Sequence, residues 1–271
     1  WAMDVFGLAD QSEARRLARV LPNTSTAALG LVLFPLWLSR HVAGGPFVYP
    51  TARPHAALAS VNFVPWRTER IDSVLDNHTD VQQYVILGSG LDTRGYRQLA
   101  GSSVRVWEVD TAENIRFKKL HIAKAGLNTD SVSYVPANFS DDSWPDSLRA
   151  AGFDDTQRTV FLMEGVTLYL TRDQVRQTLR LARSLGPTGS VLLMDLYSSD
   201  VVALAQRPLA RRTLALTNEE VHLGVNFRHQ PLTEIDEVLS GIRLERGRVE
   251  LLAPNRRGGA LMAVVECRFS K

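Results

Sequence analysis

The chain is 271 residues long, which is enough for one large α/β domain or for a domain with a lid. Its hydrophobic fraction of 45% and charged fraction of 22% are ordinary for a soluble globular protein, so a cytoplasmic location is expected. The net charge of +2 gives no electrostatic reason to expect nucleic-acid or membrane binding, and a single cysteine excludes an internal disulfide and a cysteine-rich metal site.

The first 65 residues have a helical but uneven pattern. A charged amphipathic helix is predicted over residues 12–21, and a more apolar helix over residues 26–39. The apolar run from Ala27 to Leu38 is too short to cross a bilayer. Glycines and prolines then break the chain into a loop before residue 66. We therefore interpret residues 1–65 as a helical N-terminal lid or cap.

From residue 66 onwards the pattern alternates between helices and buried strands, which indicates a second unit over residues 66–271. Continuous apolar runs such as VILG, TVFLME and SVLLMDLY are typical of strands buried on both faces of a parallel sheet. Strands are predicted near 83–88, 104–109, 132–136, 159–164, 189–195, 242–251 and 259–268. Helices are predicted near 67–78, 91–98, 111–125, 143–151, 171–185 and 233–240.

The C-terminal part departs from this alternation. A polar, partly helical insertion is expected over about residues 198–231. The last two strands are joined by the turn-like sequence PNRRGG, which predicts an antiparallel hairpin at the edge of the sheet. Cys267 lies in the apolar run LMAVVECRF, so a buried strand position is expected for its side chain.

The most informative segment is QYVILGSGLDTRGYR, which is followed by VRVWEVD. Here a buried strand ends in the turn Gly88-Ser89-Gly90, and a second buried strand ends at Asp110. Such a turn lets the backbone approach a nucleotide, and the carboxylate can bind the ribose hydroxyls. A dinucleotide fingerprint would have a third glycine at Thr93, and Asp92 would repel a pyrophosphate. The pattern therefore favours a cationic nucleotide cofactor over NAD.

Taken together, several motifs resemble those of the leucine carboxyl methyltransferase family. They are RTERID, ILGSGLDTRGYR, EVD, ANF and FLMEGVTLYL, which together cover about residues 66–197. The resemblance is strongest to the family's bacterial branch, which includes methyltransferases that act on polyketides and other secondary metabolites. It implies a Rossmann-like α/β fold of class I methyltransferases: a mostly parallel seven-stranded sheet with an antiparallel C-terminal hairpin. It also implies S-adenosyl-L-methionine as the cofactor and S-adenosyl-L-homocysteine as its product.

The same resemblance implies roles for individual residues. Arg67 is expected to bind the carboxylate of the methionine moiety, and Glu164 to lie beside its amino group. Asn138 and Phe139 occupy the place where the family usually reads the adenine with an acidic residue and a hydrophobic neighbour, and the asparagine is a departure. The expected cofactor-binding residues are Arg67, Gly88, Gly90, Asp92, Asp110, Asn138, Phe139 and Glu164. For Asp110 a helix N-cap is an alternative, and Asp92 alternatively pairs with Arg94 to hold the loop in place.

On the acceptor side, the expected reaction is O-methylation of a carboxylate or hydroxyl of a small molecule. A carboxylate is already ionised at neutral pH, whereas a phenol or alcohol needs a base, for which His222 and His229 are candidates. Tyr169 and Tyr197 follow the ends of strands four and five and are candidates for the acceptor pocket. No metal ligand pattern is visible, and no metal is expected.

Three alternatives remain at this point. The apolar segment 27–38, with Phe34 and Trp37, is expected to pack with residues 211–228 over the strand ends, but an ordinary core helix is the other interpretation. The chain could bind the cofactor without methylating a substrate. It could also be an NAD-dependent oxidoreductase, although the glycine pattern argues against this.

Overall fold

The structure is a computed structural model that describes residues 12–22, 56–78, 80–97, 103–139, 141–208, 220–252 and 259–270. Its helices are α1 (Ser12–Val20), α2 (Ala56–Leu75), α3 (Ala112–Ala125), α4 (Trp144–Ala150), α5 (Arg172–Ser184), α6 (Ser199–Ala205) and α7 (Pro231–Leu239). Its strands are β1 (Gln83–Leu87), β2 (Arg105–Asp110), β3 (Val132–Pro136), β4 (Thr159–Met163), β5 (Val191–Tyr197), β6 (Leu244–Leu252) and β7 (Met262–Phe269). Single 3-10 turns lie at Arg94–Tyr96 and Thr167–Tyr169.

The seven strands form one sheet in the order β3-β2-β1-β4-β5-β7-β6. The first five strands are parallel, and β7 runs antiparallel to both β5 and β6. Every residue of β1, β4 and β5 is buried, as the continuous apolar runs predict for a sheet covered on both faces. Because the order reverses between β1 and β4, the carboxyl ends of these two strands border a crevice where open α/β sheets bind ligands.

The predicted fold class is confirmed, and the predicted strands agree with the observed ones to within a few residues at each end. The antiparallel hairpin is confirmed, with β6 at the edge of the sheet. Cys267 is fully buried on β7, as its apolar surroundings predict. The insertion contributes α6, and a segment near Val225 pairs with Ser198 at the end of β5. This pairing places the described end of the insertion beside the carboxyl edge of the sheet.

Two helix predictions need correction. No helix spans 91–97: the chain makes only the 3-10 turn Arg94–Tyr96. The carboxylate of Asp92 accepts from the backbone N–H of Arg94 at 2.7 Å, and this local bond competes with helical hydrogen bonding. The helix predicted from Arg67 instead begins at Ala56 and continues through Pro65. The expected boundary between residues 65 and 66 therefore falls inside α2.

The proposed lid is only partly within the described residues. Helix α1 is present as predicted and packs against α3, burying Leu17. The apolar segment 27–38, with Phe34 and Trp37, and residues 211–219 of the insertion lie outside the described residues. Among the helices that the structure describes, none has the length and apolar character needed to cross a bilayer.

Candidate cofactor and acceptor site

The turn after β1 is shaped by two glycines with positive φ. Gly88 has φ +74° and Gly90 has φ +39°. Gly88 and Ser89 donate backbone N–H groups to the Val109 carbonyl oxygen at 2.8 and 3.2 Å, which ties the turn to the end of β2. A Cβ on Gly90 would meet no atom of the described structure within 4 Å, so this side of the turn is open to a ligand.

Replacing Gly88 by alanine is expected to be destabilising for two reasons. The φ of +74° is strained for an L-residue, and the new Cβ would lie 2.3 Å from Cγ2 of Val166. Overpacking of this kind costs about 1 to 3 kcal/mol beyond the backbone strain. Gly152→Ala is the matched control, because Gly152 has φ +85° but no described atom lies within 4 Å of the Cβ that alanine would add. Urea unfolding should show a larger loss for Gly88→Ala, and equal losses would contradict the packing argument.

Asp110 connects the end of β2 to the glycine turn. Its Oδ2 accepts from the backbone N–H of Gly90 at 2.7 Å. Its Oδ1 accepts from the backbone of Thr111 at 2.7 Å and from Nδ2 of Asn114 at 2.8 Å. The N-cap alternative for Asp110 is wrong, because the side chain of Thr111 caps α3. Oδ1 already accepts two of these bonds, whereas Oδ2 accepts one and keeps acceptor capacity for a ribose hydroxyl.

A chain of charges lies beside this turn, at the carboxyl ends of β4 and β5. Arg67 of α2 donates from Nε to Oε1 of Glu164 at 2.7 Å and from Nη1 to Oδ2 of Asp195 at 3.1 Å. Tyr197 donates its hydroxyl to Asp195 at 2.7 Å and also contacts Arg67. Gly165 has φ +69°, and a Cβ there would lie 3.3 Å from the guanidinium of Arg67. The glycine therefore makes room for this arginine.

Burial and the neighbouring charges have opposite effects on the pKa values of Arg67 and Asp195. Burial alone would lower the pKa of Arg67, but Asp195 and Glu164 outweigh it and raise the pKa above its ordinary value. Burial raises the pKa of Asp195 to about 6, against the lowering effect of Arg67. The guanidinium therefore stays charged, with Nη2 uncommitted among the described residues.

The second oxygen of Glu164 accepts from Nη1 of Arg94, which is buried. Arg94 also pairs with Asp92 at 2.6 Å and with Asp72 of α2 at 2.6 Å. The alternative in which Asp92 and Arg94 hold the loop in place is therefore confirmed. Arg97 binds the other oxygen of Asp72 at 2.7 Å, so the described acidic and basic groups here largely neutralise each other.

A cavity of about 1070 Å³ lies over these groups. The residues that line it include Arg67, Gly88, Gly90, Leu91, Asp92, Arg94, Asp110, Asn138, Phe139 and Glu164. All eight residues expected to bind the cofactor are therefore brought to one cavity. Phe139 packs edge-on against the buried Trp144, with 6.0 Å between the ring centroids. This contact holds the ring of Phe139, the residue expected beside the adenine, in a fixed position.

The acceptor-side candidates divide into two groups. Tyr169 and His222 line the same cavity, together with Glu220. The backbone N–H of His222 donates to the Leu168 carbonyl at 2.7 Å, which fastens the insertion to the turn after β4. His229 and Tyr197 are not among the described lining residues. Tyr197 is buried and contacts Arg67 and Asp195, so its position indicates support of the charge cluster rather than contact with an acceptor.

The model of the family described as leucine carboxyl methyltransferase matches residues 40–182, more than half of the chain. The chain belongs to the leucine carboxyl methyltransferase family. It is 36% identical over 140 residues to a Frankia alni protein, covering 50% of this chain and 48% of that protein. It is 30% identical over 188 residues to a Mycobacterium avium protein, covering 66% and 58%. Both names assign these proteins to the S-adenosyl-L-methionine-dependent methyltransferases, and the chain spans about half the length of such relatives.

A solved structure supports the fold of this family member independently of sequence. It is the magnesium protoporphyrin IX methyltransferase from Synechocystis PCC 6803 with bound S-adenosyl-L-homocysteine. The TM-score is 0.51 at 10% identity, and the match covers 88% of this chain and 94% of that one. The fold is therefore that of class I methyltransferases, as the resemblance in sequence implies.

Two acidic residues of the charge cluster were not anticipated from sequence. Asp195 is a carboxylate inside the apolar run SVLLMDLY, and this signal was available in the sequence. Asp72 lies on α2 within RTERID, where an exposed helical carboxylate is the ordinary interpretation. Only the packing of α2 beside the turn after β1 reveals its contacts with Arg94 and Arg97.

Proposed function

We propose that the protein is an S-adenosylmethionine-dependent O-methyltransferase that acts on a small metabolite, such as a polyketide or another secondary metabolite. The observation that carries this proposal is the paired placement of Asp110 and of the Arg67–Glu164 ion pair around one cavity. These groups offer acceptors for ribose hydroxyls and for an amino group, and a cation for a carboxylate. Family membership supports the same cofactor.

The residues present fit this cofactor on structural grounds. Gly90 leaves open space at the turn, where a backbone must approach the ligand closely. Asp110 would hold the ribose, Arg67 the carboxylate of the methionine tail through Nη2, and Glu164 its amino group. Phe139 would contact the adenine, and the amide oxygen of Asn138 would accept from the adenine amino group. When bound, S-adenosylmethionine supplies an electrophilic methyl group on a sulfonium.

The protein's own contribution would be alignment and removal of water. The charge cluster and the glycine turn fix one side of the cavity, and the acceptor would enter from the side of Tyr169 and His222. Holding two reactants in line supplies a large part of the acceleration in such displacements. No covalent intermediate on the protein is needed.

The described charges favour a hydroxyl acceptor over a carboxylate. Arg67, Arg94 and Arg97 are the described cations of the cavity wall, and each already pairs with an Asp or Glu carboxylate. On the acceptor side lies Glu220, whose carboxylate is 3.8 Å from Nε2 of His222. A hydroxyl acceptor would pass its proton to His222 as its oxygen bonds to the methyl group, and the carboxylate would stabilise the resulting imidazolium.

The cofactor assignment is tested by comparing ligands. A ligand present at about 100 times its dissociation constant stabilises the fold by about 2.7 kcal/mol. We expect S-adenosylmethionine and S-adenosylhomocysteine to raise the melting temperature and NAD to leave it unchanged. Titration calorimetry should give the same ranking. Binding of NAD with no binding of either adenosyl ligand would disprove the proposal, and cofactor binding without methylation of any acceptor would favour a non-catalytic binder.

A further inference from the structure

Below the cofactor turn lies a buried ion pair that the proposed chemistry does not use. Nζ of Lys118, on α3, is 2.7 Å from Oε2 of Glu108, on β2. The side chains of Lys118 and Glu108 are 1% and 0% exposed, so neither charge is solvated by bulk water. Removing a lysine and a glutamate from water is costly, and an ordinary helical lysine would instead extend into solvent. A purely structural ion pair has no evident advantage over apolar packing at this position.

The pair is positioned directly under the turn. Nζ of Lys118 donates to the carbonyl oxygen of Ser89, the middle residue of the glycine turn, at 3.3 Å. The same carbonyl accepts from the backbone N–H of Asp92 at 2.8 Å. Glu108 precedes Asp110 by two residues on β2, so both carboxylates lie on the same face of that strand. Glu108 therefore supports the turn through Lys118, which donates to Ser89. Asp110 supports it by accepting from the backbone N–H of Gly90.

We propose that Lys118 and Glu108 are positioning residues that hold the cofactor turn in its binding conformation, and that protonation of Glu108 releases it. This inference rests on the proposed function only for its effect on cofactor affinity. The ionised pair keeps an ammonium aimed at the Ser89 carbonyl, which fixes the direction of that peptide group. Without the carboxylate, the buried ammonium loses its counter-charge and its favourable position.

The groups around Glu108 set the pH at which its carboxylate takes up a proton. It faces Lys118 from α3, Tyr96 from the 3-10 turn at 3.0 Å, and, through Tyr96, Tyr134 of β3. Burial raises the pKa of Glu108 to about 7, the charge of Asp92 adds to this, and Lys118 opposes it. Glu108 is therefore ionised above about pH 7 and takes up a proton below it. Because Lys118 lowers the pKa of Glu108, its contact with this carboxylate is stronger when the carboxylate is ionised, and protonation weakens it. Glu108 stays buried on β2, so the turn should be held more firmly above about pH 7 than below it.

The first test measures the turn directly and needs no ligand. Amide hydrogen exchange, corrected for the intrinsic pH dependence, gives protection factors for Gly90 and Asp92, whose N–H groups bond to Asp110 and Ser89. In the natural protein these factors should drop as the pH falls from about 8 to about 6. In Glu108→Gln they should be low and independent of pH. Protection in Glu108→Gln equal to that of the natural protein across this range would overturn the proposal.

The second test measures binding of S-adenosylhomocysteine by calorimetry. Loss of a hydrogen bond to a charged group costs about 1.5 to 3 kcal/mol, so Lys118→Met should weaken binding by about tenfold or more. Lys118→Arg, which keeps the charge, should restore part of the affinity. Lys124→Met is the matched control, because Lys124 is exposed on the same helix and should bind normally. Unchanged affinity in folded Lys118→Met would overturn the proposal.

Folding must be separated from positioning. The double variant Lys118→Met with Glu108→Gln removes both buried charges together, so it avoids an unpaired ion in the core. We expect it to fold, to bind S-adenosylhomocysteine weakly and to lose the part of the pH dependence of binding that comes from Glu108. The pKa of Asp195, which contacts Arg67, is also raised. Its contribution to the pH dependence of binding should persist in this variant. If the natural protein binds no adenosyl ligand, the proposed function fails, while the exchange experiment still decides the role of the pair.

Discussion

Glu164→Gln should weaken binding of S-adenosylhomocysteine by well over tenfold without unfolding the protein. The two oxygens of Glu164 accept from Nε of Arg67 and from Nη1 of Arg94. A glutamine offers one oxygen and one amino group, so in either orientation its amino group faces an arginine donor. The substitution also removes the negative charge expected beside the amino group of the methionine tail. Truncating one member of a buried charged contact costs about 2 to 5 kcal/mol.

The control for this variant is Glu266→Gln. Glu266 is also a buried glutamate on the sheet that pairs with an arginine, Arg268, at 2.9 Å, but it does not line the cavity. Calorimetry should show normal affinity for Glu266→Gln, and circular dichroism should show that both variants are folded. Equal affinities for Glu164→Gln and the natural protein, with binding established for the latter, would remove Glu164 from the site.

The strand-end carboxylates were predictable from sequence because their signal is local. Glu164 closes the apolar run TVFLM, and Asp110 closes the segment VRVWEV, in which three valines and a tryptophan favour a buried strand. Parallel strands carry their ends to one edge of a sheet, so strand prediction alone places both residues near each other. The glycine turn was predictable for the same reason, since its conformation depends on neighbouring residues.

The remaining features depend on contacts between distant parts of the chain. The helix predicted over 91–98 fails because Arg94 is drawn towards Asp72 and Glu164, far away in sequence, and Asp92 bonds to the local backbone. The sequence predicts that Lys118 is a surface lysine of a charged helix, and only the packing of α3 on β2 shows that it is buried. Neither periodicity nor propensity contains this information.

The two histidine candidates illustrate the same limit on the acceptor side. From sequence, His222 and His229 were equivalent, because both lie in the polar insertion. Both side chains are exposed, but the structure separates them: the backbone bond from His222 to Leu168 brings His222 to the cavity, whereas His229 is not among the described lining residues. The difference comes from how the insertion pairs with the end of β5, which residue types in this segment do not encode.

His222→Asn should lower kcat by about 100-fold to 10,000-fold for a hydroxyl acceptor, which is the range for loss of a general base. Asparagine keeps a similar size and polarity but cannot take a proton, and the backbone bond to Leu168 remains available. Affinity for S-adenosylhomocysteine should be unchanged, because His222 is not among the residues expected to bind the cofactor. His229→Asn, the matched control, should methylate normally.

Release of S-adenosylhomocysteine with a panel of phenols, alcohols and carboxylic acids would measure both histidine variants. A carboxylate acceptor needs no base, so a natural protein that methylates only carboxylic acids would contradict the preference for hydroxyl acceptors. A hydroxyl acceptor with normal turnover in His222→Asn would instead show that the proton leaves by another route.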